Sequence, residues 1–196
     1  MGYVKKQIRE LIKDAGSKRA ARKAAEQWFN DGVSNRSVKE AAYVNKRFQP
    51  GKIYIFEYDP ITPDLEFFDK NPVVLALEQL DNNNDLGVNL NLLPNRVKED
   101  LLDDLYSKLE GQIKSNSKGV KYYNAETQGG LRVTYDGMKS YLERSGCDFA
   151  IRQYKPSRKQ KQAVVSYSKW PEIVLCDFID LNGVTMKQIR RLFSKK

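Results

Sequence analysis

Five carboxylates crowd one short stretch of the chain: Glu57, Asp59, Asp64, Glu66 and Asp69. Carboxylates gathered in this way can hold a magnesium ion for phosphodiester cleavage. No lysine-bearing nuclease spacing accompanies them, so a solvated acidic edge or a docking surface for a basic partner fits the residues better. Asp81, Asn83 and Asp85 alternate in DNNNDLG like the start of a calcium loop. The glycine comes one place late at Gly87, and Leu92 stands where the closing Glu belongs, so the segment reads as a polar hairpin loop. Gly129-Gly130 has no GK[ST] after it and is no phosphate loop. The chain has no His, which removes every His-based triad, zinc ligand and acid/base. Cys147 and Cys176 are too far apart for a CxxC motif and too few for a four-Cys metal site. No nucleophile–base pair, metal set or cofactor motif emerges, so the expectation is a protein that is not an enzyme.

The basic residues carry more signal. Lys18, Arg19, Arg22 and Lys23 form one cluster, Lys155, Arg158, Lys159 and Lys161 a second, and Lys187, Arg190 and Arg191 a third. Tyr154 and Tyr167 flank the second. Clustered Lys and Arg neutralise phosphates and release counterions, which gives sequence-independent, salt-sensitive binding. No zinc finger, RNA-recognition signature or clear helix-turn-helix supplies a sequence code. Acidic surfaces of partner proteins are the competing target for the same charges.

These clusters sit on a segregated chain. Residues 1–47 carry 12 Lys/Arg against 5 Asp/Glu, residues 48–110 carry 5 against 13, and residues 111–196 carry 17 against 7. The net charge is +9 over 196 residues, of which 40% are apolar. That length suits one domain, and the modest apolar share predicts that some of it lies outside the core. The expected division is a basic helical arm over 1–47 and a single α+β domain over 48–196, acidic through 110 and basic after it. No apolar run of 18 residues occurs, so no membrane partner is expected.

The elements that must position the charges follow from periodicity. Val4, Ile8, Leu11 and Ile12 recur at helical spacing in 3–15, and Gly16 can end that helix. A second, Ala-rich helix carries the first basic cluster near its start and closes at Gly32. Positive charge at a helix N-terminus opposes the macrodipole, which favours an anionic partner there. Pro50-Gly51 predicts a turn, then a strand at 52–58, an apolar strand VVLALEQL, and an alternating strand VNLNLL: a three-strand antiparallel unit. Residues 95–110 predict the covering helix, with Asn95 as its cap and Gly111 as its end. A short helix spans 134–143. Residues 155–162 read as a basic loop. Residues 163–168 and 173–179 read as a strand pair, and 185–193 as a last helix bearing the third cluster.

Several strings resemble a set of small virion proteins of T4-like tailed phages. PGKIYIFEYDPIT, FFDKNPVVLALE, GVNLNLLP and LLDDLY match their YDP strand, their step into an apolar strand, their G-[IV]-N-[LF] segment ending in Leu-Pro, and a helix with an LLD-like core. KAAEQWF upstream and the segment from Trp170 to Phe193 extend the similarity over most of the chain. Asn89-Leu90-Asn91 stands where an aromatic or His is usual, and Phe67-Phe68 where tyrosines are typical. Members are commonly labelled DNA end protector or virion structural protein. The resemblance implies a non-enzymatic virion component at the portal or neck, tail or baseplate junction, made in the host bacterial cytoplasm. Its implied partners are other virion proteins and double-stranded DNA, in multiple copies within a symmetric assembly. The motif residues Tyr58, Asp59, Pro60, Asp69, Pro72, Asn89, Leu93 and Pro94 read as turn and core residues. The fold expected is α+β, a small antiparallel sheet covered by one amphipathic helix, with the basic helical arm. The function expected is a virion structural protein that assembles through its basic arms; the alternatives are a sequence-independent protector of packaged genome ends and, from the carboxylates alone, a metal-dependent nuclease.

Overall fold

The computed structural model describes residues 2–34, 47–59, 69–81, 83–116 and 133–176, with backbone alone at 32–34 and 110–116. Helices α1 (Tyr3–Asp14) and α2 (Lys18–Ser34) come first. Strands β1 (Ile53–Tyr58), β2 (Val73–Gln79) and β3 (Asp85–Asn89) follow. Helices α3 (Asn95–Asn116) and α4 (Tyr135–Glu143) then lead to β4 (Ile151–Tyr154), β5 (Lys159–Val165) and α5 (Trp170–Leu175). The five strands form one antiparallel sheet in the order β4-β3-β2-β1-β5. The fold is α+β with an N-terminal helical arm.

Side-chain alternation splits each strand between two faces. Ile53, Ile55, Val73, Leu75, Leu77, Leu86 and Val88 face the helices and join Leu101, Leu102 and Leu105 of α3 in the main core. Tyr54, Phe56, Val74, Ala76 and Tyr154 face the other way and pack with Phe48 in a second, largely aromatic cluster. Phe48 stacks on Tyr54, with ring centroids 4.9 Å apart, and Tyr154 meets Phe56 edge-on at 5.3 Å. Both faces are therefore apolar, which explains the near-continuous hydrophobic run in β2.

The arm helices share the main core. Val4, Ile8, Ala21 and Ala25 are buried with the sheet's own residues. Asp103 of α3 receives the backbone N–H groups of Val4 (2.7 Å) and Lys5 (3.3 Å), capping α1 from another helix. Lys5 Nζ reaches Asp100 at 2.7 Å, and Tyr3 stacks on Tyr106 at 3.8 Å. Lys98, also on α3 and buried, donates through Nζ to the carbonyls of Ile173 and Cys176, where α5 ends. Thus α3 uses two buried charges to hold two other helix ends, each with the sign the dipole favours.

Several boundaries differ from those expected. Residues 177–179 and the helix expected over 185–193 lie outside the described residues, and residues 173–175 belong to helix α5 rather than to a strand. Pro171 sits in its first turn, where no N–H is needed, and Trp170, Ile173 and Val174 pack at helical spacing. The stretch read as a basic loop contains a 3-10 turn over Pro156–Arg158 and the first half of β5. Strand β3 begins at Asp85, inside the segment read as a polar loop, and stops at Asn89 rather than alternating to Leu92. Asn89 Oδ1 accepts the Asn91 N–H, closing a 3-10 turn over Leu90–Leu92. Helix α3 starts on Asn95 itself, with the Pro94 carbonyl accepting the Lys98 N–H, and runs past Gly111. One helical glycine costs only about 1 kcal/mol, too little to end a long helix. The three-strand unit is the middle of a five-strand sheet. The Pro50-Gly51 turn forms as expected, with Gly51 at φ +80° and the Lys52 N–H donating to Gln49. Both cysteines are buried, and neither forms a disulfide. No helix among the described residues is long and apolar enough to cross a membrane.

Candidate nucleic-acid interface

The first basic cluster opens α2. Ser17 caps the helix by accepting the Ala20 N–H at 3.1 Å. The first turn contains no acidic residue. Lys18, Arg19 and Lys23 are exposed, Arg22 is half-buried, and the Ala21–Ala25 side of the same helix is buried. The helix thus presents cations at its positive end, and an anion there satisfies both the side chains and the backbone N–H groups.

The second cluster is divided by the sheet. Lys155 is exposed. Arg158 pairs with Asp59 at 2.8 Å, and Lys161 with Glu57 at 2.7 Å. Lys159, expected to face outward with the others, is only 6% exposed. Its Nζ bonds to Asp85, which is fully buried, and lies 3.8 Å from the centre of the Phe48 ring. Asp85 also accepts from Arg47 Nε (2.9 Å) and the Phe48 N–H (3.1 Å). Burial lowers the Lys159 ammonium from its ordinary value, and its hydrogen bond to Asp85 opposes that shift. The cause is register: Tyr58 pairs with Lys159, so the lysine points to the same face as the aromatic cluster. The third cluster, Lys187, Arg190 and Arg191, lies outside the described residues, as do Pro60, Asp64 and Glu66.

The motif residues surround this region. Tyr58 accepts the Lys155 N–H at 3.2 Å through its hydroxyl, and the Asp59 N–H donates to Arg158 O. Asp69 accepts the Asn71 N–H at 3.0 Å and the side-chain amides of Asn91 (2.5 Å) and Asn89 (3.3 Å). Burial raises the Asp69 carboxyl above its ordinary value even against these three donors. Pro72 and Leu93 are buried. Of the carboxylates considered for a metal, the three among the described residues are thus engaged: Glu57 and Asp59 by cations, Asp69 by amides. Among the described residues no three His, Cys, Asp or Glu side chains converge on a common point.

Sequence reasoning missed the Asp85–Lys159 pair, the Asp103 cap and the pairing of Glu57 and Asp59 with the second cluster. For the last, the acidic middle block beside a basic C-terminal block was a signal, since opposite blocks in one domain can neutralise each other.

The family described as phage T4 terminal DNA protecting protein matches residues 2–187. The chain belongs to this family. The match spans the helical arm, the sheet and the second basic cluster together. Membership supports a phage protein with a structural or DNA-end protecting role. No curated protein and no solved structure matches the chain.

Proposed function

We propose that this protein is a non-enzymatic structural component of the phage particle that binds terminal duplex DNA without reading sequence, at the portal or neck, tail or baseplate junction. The observation that carries the reading is the exposed set Lys18, Arg19 and Lys23 at the capped N-terminus of α2, in a chain matched by the DNA protecting family over 2–187. Phosphates offered to such a site meet fixed cations and a helix dipole together. The anchoring of α1 and the burial of Ala21 and Ala25 hold this surface against the domain, which gives the phosphates a rigid seat. Other virion proteins and repeated copies are the remaining partners in this reading.

The test is a salt titration with blunt linear duplex and covalently closed circular DNA of equal length. Binding weakens steeply with salt and favours the linear form. Absence of duplex affinity at about 50 mM salt rejects DNA contact, because several phosphate contacts survive there. Equal affinity for both forms rejects end recognition. Replacing Lys18, Arg19 and Lys23 together by Ala lowers affinity and flattens the salt slope.

A further inference from the structure

The geometry points to a self-masked phosphate strip: Lys155, Arg158 and Lys161 form a second duplex-binding surface whose anion positions are occupied, in the free protein, by Glu57 and Asp59. This rests on the DNA-binding reading above and adds a site to it.

Both carboxylates come from one strand end. Glu57 and Asp59 are alternate residues, so their side chains leave the chain on one side, roughly 7 Å apart along it. Each meets a different cation, Arg158 in the turn before β5 and Lys161 in β5. Arg158 Nη1 lies 2.8 Å from Asp59 Oδ2, and Lys161 Nζ lies 2.7 Å from Glu57 Oε1. These are accessible pairs: Asp59 is 69% exposed at its side chain, Lys161 46%, Arg158 36% and Glu57 33%. Exposed pairs of this kind are weak and exchange readily. The contrast with Lys159 is direct, since that residue is paired in the interior and unavailable.

The backbone fixes the cations in place. Lys161 adopts φ +48°, in the left-handed region, at the point where the β1–β5 register shifts between Ile55 and Glu57. A non-glycine residue there is uncommon and marks a bulge that re-aims its side chain. Lys155 is tied by its N–H to the Tyr58 hydroxyl, and the Asp59 N–H is tied to Arg158 O. Carboxylates and cations are thus held in one small framework, and a phosphate backbone takes the place of the carboxylates without refolding.

The experiment measures affinity for a short blunt-ended duplex at fixed salt. Glu57→Gln with Asp59→Asn raises affinity by about two- to thirtyfold, the range set by the strength of two exposed pairs. The control, Asp104→Asn with Glu143→Gln, makes the same change in net charge by disrupting the exposed pairs to Lys108 and Lys139 instead. It gives a clearly smaller gain. In an Arg158→Ala, Lys161→Ala background the Glu57→Gln, Asp59→Asn gain disappears, which is the coupling a local mask demands. Equal gains in the two neutralised pairs, or a gain that survives loss of Arg158 and Lys161, overturns the mask. Wild-type binding with no gain overturns the mask alone, whereas no binding by any variant at about 50 mM salt overturns the DNA reading as well. Unchanged thermal unfolding midpoints confirm that all variants are folded.

Discussion

Neutralising Asp85 tests a buried charge that three donors share. Asp85 is fully buried and accepts from Lys159 Nζ, Arg47 Nε and the Phe48 N–H. Asp85→Asn keeps the shape and one acceptor oxygen but leaves the Lys159 ammonium buried without a counter-charge. Removing one partner of a buried pair costs about 3–5 kcal/mol. For a chain of this size that lowers the unfolding midpoint by about 6–20 °C. Lys159→Met costs less, because Arg47, which is half-buried, still neutralises Asp85. The Met side chain also replaces the lysine stem against Phe48 and Phe56. The double variant, Asp85→Asn with Lys159→Met, removes both charges and is more stable than Asp85→Asn alone.

The assay is urea unfolding of all four proteins, read by tryptophan fluorescence, with midpoints compared at constant slope. A coupling of at least about 2 kcal/mol is expected, well above the roughly 0.5 kcal/mol within which independent sites add. Additive costs, or a double variant weaker than Asp85→Asn, refute the pairing. The pH dependence supplies a second check. Burial lowers the folded-state value of Lys159, so in alkali the native state releases its proton before the unfolded state does. Stability contributed through this group therefore rises with pH, from the lowered folded value up to the ordinary value of 10.5. Buried Tyr54 and Tyr154 shift the other way, but they are present in both proteins. The difference between wild type and Lys159→Met isolates the lysine.

Other outcomes follow from the same geometry. A Cβ on Gly2 meets the Asp103 carboxyl at 2.3–2.4 Å, so Gly2→Ala displaces the cap of α1 and costs about 1 kcal/mol. In an Asp103→Ala background the same substitution is nearly neutral, which thermal unfolding of the double variant checks. Gly87→Ala places its methyl 2.3 Å from Val74 Cγ1 and 2.8 Å from Leu75 O, and the overpacked sheet loses about 1–3 kcal/mol in denaturant titration. The Asp69 carboxyl titrates above its ordinary value of 3.8 in a carbon-detected NMR titration. Its contribution to stability is full below 3.8 and is lost as pH rises through the raised folded value, so a titration midpoint at or below 3.8 refutes its burial.

Much of the architecture was legible locally. Helix α1 was readable because its apolar residues recur at one spacing and Gly16, at φ +74°, stops it. The short helix α4 was readable because Thr134 accepts the Gly137 N–H at its start and Gly146 follows its end. Strands β1 and β2 were readable from their β-branched and aromatic density. The errors fall where tertiary contacts outweigh local preference. IVLC is β-rich by composition, yet Pro171 and the seat offered by Lys98 make 170–175 helical. KQKQ is polar enough for a loop, yet it pairs with Glu57 and Tyr58 as an edge strand.

The candidate interface divides in the same way. By itself the sequence determined that the chain has no His chemistry, that its charge is segregated into opposed blocks, and that the first cations stand at a helix start. These are matters of composition and short spacing. Which cations meet solvent, and which meet carboxylates, was decided only by the fold. Glu57 and Lys161 are 104 residues apart, and Asp85 and Lys159 are 74 apart. They meet because β1 pairs with β5 and both strands lie in one sheet with β3. Strand pairing selects partners by register across distant segments, and a one-residue change of register moves a lysine from the surface to the interior.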